Sequence, residues 1–267
     1  MAITTLDGII AGMQPPVGIL KVGGTMEAAG VLHSHFYSAG LPGPAVAPSP
    51  GVVGEALTAY LGQLPFSNPI SGNSYLARFT MNASVIGGYI LADRLWHNSG
   101  LVSAVLTEQS VDSVAFPARD RVGSANGAGV MVGIEVSTAT GNTGAVTTIS
   151  MRYLNQDGVE KVATIPSFPA TAAIGSFIPF TLAAGDTGVR KVLAITLGTS
   201  LVSGVIHLVA YRELTSVDVP VIYAGSSVDA LQSGFVRFYD NTVPFIIQVA
   251  SVTTATVLRG QLIVTQG

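Results

Sequence analysis

His33-Ser34-His35 is the strongest metal-binding candidate in the sequence. Two histidines at i and i+2 on a strand project to one side, and imidazole suits zinc, copper or nickel. A site needs a third ligand, and Glu27 is the only acid near the pair in sequence, so a polar surface or interface pair is the alternative. Arg119-Asp120-Arg121 concentrates charge beside Pro117 and ahead of Gly123-Ser124-Ala125-Asn126-Gly127. It reads either as a solvated loop with local ion pairs or as an intersubunit contact through Arg119 and Arg121, a role in which arginine is favoured. Asp93-Arg94 and Trp96-His97-Asn98 form a second polar and aromatic corner. His207 shares a strand face with Val205, Val209 and Tyr211, which suits a hydrogen-bonded core or interface histidine. Gly127-Ala128-Gly129-Val130 lacks the GxGxxG spacing and leads into β-branched residues, so a turn entering a strand is expected instead of a phosphate loop. The sequence holds no GxxxxGK[ST], GxSxG or HExxH pattern. Nor does any local signature bring a serine, a histidine and an acid together. No catalytic, cofactor-binding or metal-ligating residue is assigned, and an enzyme is not expected.

Composition narrows the elements that must position these residues. Only 10% of the 267 residues are charged, against about a quarter in ordinary soluble domains. Apolar residues make up 48%, spread as short alternating runs. Such a chain hides much of its surface, in its own sheets or against neighbours. The net charge of −3 lacks the basic footprint of a protein that grips phosphates, so no direct nucleic-acid partner is expected. Absence of cysteine excludes disulfides, thiolate zinc sites and a cysteine nucleophile. Lys21 is the first basic residue, so a secretory signal is not expected. Val192 to Tyr211 carries no formal charge, but Gly198-Thr199-Ser200, Ser203-Gly204 and His207 interrupt it. Two strands around a polar turn fit it better than a membrane helix.

The first 75 residues differ from the rest. Thr4-Thr5-Leu6-Asp7 can cap a short helix, and Leu6, Ile9, Ile10 and Met13 follow its apolar period. Gly8 and Gly12 weaken it and Pro15-Pro16 ends it. This helix is expected either to need a partner surface or to pack on its own domain. Residues 39–50 hold four prolines and read as an extended strap. Ser49-Pro50 then starts a second expected helix, with Val53, Leu57, Tyr60, Leu61 and Leu64 on one face and Gly62 as its stop.

From Tyr75 onward the signal is strands. Val130, Val132, Ile134 and Val136 share one face, with Glu135 and Ser137 opposite. Ile149, Met151 and Tyr153 alternate with Thr148, Ser150 and Arg152, and Asn155-Gln156-Asp157-Gly158 turns into a return strand over 159–165. Gly185-Asp186-Thr187-Gly188 reads as a second such turn between 177–182 and 189–197. Val205 to Tyr211 is apolar on both faces and should be central. Phe245 to Ala250 and Thr256 to Thr265 close the chain. Ten to twelve strands at this spacing predict a mainly β fold. The expected architecture is an antiparallel β-sandwich or jelly-roll-like domain over 76–267, preceded by an N-terminal arm over 1–75 with one or two short helices.

Several stretches carry a family resemblance. They are TLDGIIAGMQPP at 5–16, KVGGTMEAAG at 21–30, LWHNSGLV at 95–102, FPARDRVGSANGAGVMVGIEVSTATG at 116–141 and AGDTGVRKVLAITLGTSLVSGVIHLVAYREL at 184–214. Over nearly the whole chain this resembles a group of tailed-bacteriophage virion structural proteins. The resemblance implies a non-enzymatic virion protein with no cofactor. A capsid decoration or cement subunit on the capsid exterior is favoured, forming a homo-oligomer and binding the major capsid protein or other virion proteins. By analogy with cement proteins a trimer is favoured, with a hexameric ring as the alternative. Its candidate subunit-interface residues are Leu6, Ile9, Ile10, Met13, Arg119 and Arg121. A tail-tube, tail-tip or connector protein is the alternative, as is a fibre or spike module that binds a host glycan. A β-sandwich hydrolase or lyase would need an acid and histidine cluster in a cleft.

Overall fold

The computed structural model describes residues 3, 5–23 and 28–267. Among these, one helix, α1 (Leu6–Ala11), precedes seventeen strands. They are β1 (Val17–Val22), β2 (Leu32–Ser34), β3 (Ala39–Leu41), β4 (Glu55–Ala56), β5 (Ser74–Ala83), β6 (Gly87–His97), β7 (Gln109–Ser110), β8 (Val130–Thr138), β9 (Val146–Asn155), β10 (Glu160–Phe168), β11 (Ser176–Pro179), β12 (Val189–Thr196), β13 (Val205–Val219), β14 (Ser226–Asp229), β15 (Arg237–Phe238), β16 (Pro244–Ala250) and β17 (Val257–Gln266). The ladders of β1 with β17, β9 with β10, β8 with β13 and β5 with β17 are all antiparallel, so the fold is mainly β, as the alternation predicts. Among the described residues no helix is long and apolar enough to cross a membrane.

The chain divides into two compact units: residues 1–45, 58–93 and 213–267, and residues 46–57 and 94–212. This division does not fall at residue 75. The expected arm contributes β1 and β3 to a sheet of the first unit, because β1 finds a full ladder on β17 from Val17↔Leu262 to Val22↔Val257.

In the first unit a sheet runs β14-β5-β17-β1-β3, with β15 also pairing β5. Strand β16 lies between β2 and the first half of β6. Leu76, Phe79, Met81, Leu258 and Leu262 meet Tyr89, Leu91, Leu214 and Ile246 in one buried cluster between these layers. The period-2 pattern of β17 explains its part. Leu258, Leu262 and Val264 are buried, whereas Arg259 and Gln261 are exposed.

In the second unit one sheet runs β10-β9-β12-β7. The other joins β11, β8 and residues 205–212 of β13. Ile149, Met151, Tyr153, Ala163 and Ile165 are fully buried, as are Val132, Ile134 and Val136. The β9–β10 hairpin turns at Asp157-Gly158 as expected, with Gly158 at φ +76°. Ile206 to Arg212 of β13 are buried throughout, which agrees with a central strand.

Two expectations are corrected. Residues 53–64 form no helix. Gly54 stands at φ +71°, where a side chain would collide with the Trp96 ring, and the Leu57 N–H donates to the Leu95 carbonyl at 2.8 Å. A neighbouring strand supplies these backbone groups with ladder partners, which removes the reason to close helical turns. Gly185-Asp186-Thr187-Gly188 is not a hairpin turn either, because β11 pairs β8 whereas β12 pairs β9 and β7. The segment instead crosses between sheets. The Asp186 carboxylate accepts from the Tyr153 hydroxyl (2.5 Å) and the Asn155 amide (2.8 Å).

Candidate functional site

The two histidines of the candidate metal pair are taken up by the fold. His33 and His35 are buried, and their rings meet edge-on at 5.0 Å. His35 Nδ1 lies 3.0 Å from Ser38 Oγ, and Nε2 lies 2.7 Å from Gln248 Oε1. The Gln248 amide nitrogen donates to Thr256 Oγ1 at 2.9 Å, so its oxygen faces His35 and receives the Nε2 proton. Burial, with His33 alongside, pushes the His35 pKa down to about 3. Glu27, the only acid near the pair in sequence, lies outside the described residues. Among the described residues no cluster of three histidines or acids could hold a metal.

The Arg119-Asp120-Arg121 turn separates its two arginines. Arg119 is corrected as an interface candidate: it is buried, and its guanidinium donates to the carbonyls of Leu57 (2.8 Å) and Arg94 (3.2 Å). A fork of donors aimed at carbonyls inside one unit is a clamp on the 46–57 segment. Arg121 is exposed and stays available to a partner. Asp120 is the hub of the loop. Its carboxylate accepts from the backbone N–H of Val122, Ser124, Gly127 and Ala128 and from the Ser124 hydroxyl, over 2.6–3.1 Å. Burial raises its pKa, but the bonds from Ser124, Val122 and Ala128 outweigh that and hold it below the usual carboxylate range. Asp120→Ala strips five donors of a charged acceptor and should cost about 3 kcal/mol. Thermal unfolding checks this, with Asp120→Asn falling between the two.

Helix α1 is held by its backbone. Thr5 Oγ1 caps it by accepting from the Gly8 N–H at 3.1 Å; Thr4 lies outside the described residues. Thr265 Oγ1 donates to the Ile9 carbonyl (2.8 Å), Gln266 N to the Gly12 carbonyl (2.9 Å) and Gln14 N to the Val264 carbonyl (2.9 Å). The helix therefore docks on its own β17. Yet it buries no side chain: Leu6 is 67% exposed and Ile10 57%, with Met13 also exposed and Ile9 half-buried.

The second unit holds a buried polar network that includes His207, read as a hydrogen-bonded core or interface histidine, and an Arg94–Glu135 pairing that the sequence reading did not reach. Arg94 and Glu135 are both 0% exposed and form a bidentate pair at 2.9 and 2.7 Å. Arg94 Nε also donates to His97 Nδ1 at 3.2 Å, which places the His97 proton on Nε2, 2.9 Å from Glu55 Oε1. Burial and the neighbouring Arg94 push the His97 pKa down to about 2. His207 sits opposite Glu135 in the ladder. Its Nδ1–H donates to the Asn98 carbonyl at 2.8 Å, and its Nε2 accepts from Ser137 Oγ at 2.7 Å. Burial lowers its pKa as well. The alternation of β8 places Glu135 and Ser137 on one face, as read. That face is covered, and the paired arginine and acid in two buried strands were the available signal.

Ser137 on His207 is the first contact of a nucleophile and its base. The third position, however, is a backbone carbonyl, and the nearest acid, Glu135, is committed to Arg94. This network is built to satisfy buried polar groups.

No family model matches the chain, and no curated protein matches it. Among solved structures it aligns with the infectious bursal disease virus VP2 subviral particle at 11% identity and a TM-score of 0.18, over 96% of this chain and 82% of that one. The infectious bursal disease virus Gt strain structure gives 12% identity and a TM-score of 0.17, over 95% and 82%. At these scores the likeness carries no argument about this chain.

Proposed function

We propose that this chain is a non-enzymatic structural subunit of a virion, and within that class a capsid decoration or cement subunit. It self-associates, with a trimer favoured, and staples neighbouring capsid subunits on the particle exterior. The observation that carries the reading is α1. A helix anchored through its backbone holds Leu6 and Ile10 in water, with Met13 exposed just beyond its end. Each such side chain gains about 1.5–3 kcal/mol on full burial, and many copies on one particle multiply small gains per site. Low charge and the resemblance to tailed-phage virion proteins point the same way. The histidines and the Arg94–Glu135 pair, which could serve catalysis elsewhere, are engaged in holding strands together.

Deletion of residues 1–16 tests the arm. It stops before β1, so the ladder with β17 remains. The expected result is a folded protein that loses most of its particle binding. Undiminished binding would remove α1 from the account. A tail-ring component differs by symmetry, since sixfold copies in the tail would replace copies on the capsid.

A further inference from the structure

The outer face of the β5–β17 ladder carries a groove of about 460 Å³ lined by Thr80, Asn82, Tyr223, Arg259, Gly260 and Gln261. From its geometry we infer that this groove binds an acidic saccharide, one bearing a carboxylate. The inference goes beyond the assembly role and does not depend on it.

The ladder register builds the floor. Asn82 stands opposite Arg259, and Thr80 opposite Gln261. Residues directly opposite on an antiparallel pair project to the same face, so an amide, a guanidinium, a hydroxyl and a second amide form one polar patch. Beyond Gln261 the next position is Gly18 on β1, which leaves that side low. Tyr223 forms the wall. It stands at φ +58°, a conformation a bulky residue rarely adopts. It is pinned there by its N–H on the Ala83 carbonyl (2.8 Å) and by the Asn82 amide donating to its own carbonyl. The pinned backbone holds the ring 67% exposed. An exposed ring on a pinned backbone beside this polar floor offers a surface for a ligand's apolar face.

The groove also selects a class. An aromatic face accepts the C–H face of a sugar ring, while Asn82 Oδ1, Gln261 and Thr80 offer donors and acceptors to hydroxyls. The lining contains no acid, and among the described residues no carboxylate pairs with Arg259. An unpaired guanidinium favours a planar carboxylate, which it holds through two parallel bonds. Nucleic acid fits less well, because the lining's one cation, with Arg78 further along the same face of β5, gives no phosphate-tracking stripe on a chain of net charge −3. An extended peptide would need a free strand edge. Both β5 and β17 are paired on each side, with β14 and β1 as their outer neighbours.

The test titrates the full chain with 3′-sialyllactose and trigalacturonate, and with lactose and maltotriose as neutral counterparts, by saturation-transfer NMR and calorimetry. The expected result is millimolar binding of at least one acidic sugar and at least fivefold weaker binding of its neutral counterpart. Which acidic sugar binds separates a sialic acid from a uronate. Arg259→Gln should erase that preference and leave neutral binding unchanged. Tyr223→Asn removes the ring but tolerates the left-handed backbone, and should weaken all binding about tenfold. Gln261→Ala, expected to weaken binding several-fold, carries the test if Tyr223→Asn fails to fold. No binding of either acidic sugar, or binding that all these variants leave unchanged, would overturn the proposal. So would a drop in oligomer mass caused by Arg259→Gln, which would make the face a contact between copies.

Discussion

Arg94→Met should destabilise the protein by about 3–5 kcal/mol, the usual cost of removing one partner of a buried ion pair. Glu135 would then be a carboxylate at 0% exposure without its two guanidinium bonds. The damage spreads to His97, whose Nδ1 loses the Arg94 donor and whose proton on Nε2 is no longer fixed. The double variant Arg94→Met/Glu135→Leu removes both charges and should recover most of the loss, since the uncompensated charge dominates the cost. Denaturant unfolding of the two variants and the parent decides it. Equal losses in single and double variants would mean that packing around Arg94 matters more than charge.

The second large effect is acid sensitivity above the carboxylate range. His35, His97 and His207 all have folded pKa values pushed below 6.5, with His35 at about 3 and His97 at about 2. As pH falls through 6.5 the unfolded chain takes up protons that the folded chain refuses. Stability is therefore full above about pH 7 and falls progressively as the pH drops further. At pH 5 His35 and His97 should each have cost about 2 kcal/mol, from about 1.4 kcal/mol per pH unit. Unfolding midpoints measured from pH 7.5 to 4.5 should fall steeply, and His35→Gln should flatten the slope by about one third. A flat profile over that window would show that these imidazoles hold their protons in the folded state.

The strands with one buried face were legible from alternation alone. In β17 Leu258 and Leu262 point inward and Arg259 and Gln261 outward, as their types require. The β9–β10 hairpin was legible because Asp157-Gly158 suits only a tight turn. Residues 53–64 were not. Val53, Leu57, Leu61 and Leu64 fit a helical stripe, yet the outcome rests on Gly54 beside Trp96 and on a carbonyl of β6. Neither is local in sequence. Strand β8 was legible as a strand but not in its surroundings. Its polar residues sit on one face, as read, but that face is also covered, and alternation cannot separate water from a buried partner. Arg119 and Arg121 differ for the same reason. Two residues apart in one turn, one clamps carbonyls inside its unit and the other is exposed.

The central claim is that this chain is a structural part of a particle, and cryo-EM of purified virions tests it most directly. The account predicts repeated density for the chain on the capsid exterior, at threefold positions, with α1 against a neighbouring subunit. Absence of the chain from the particle would contradict it.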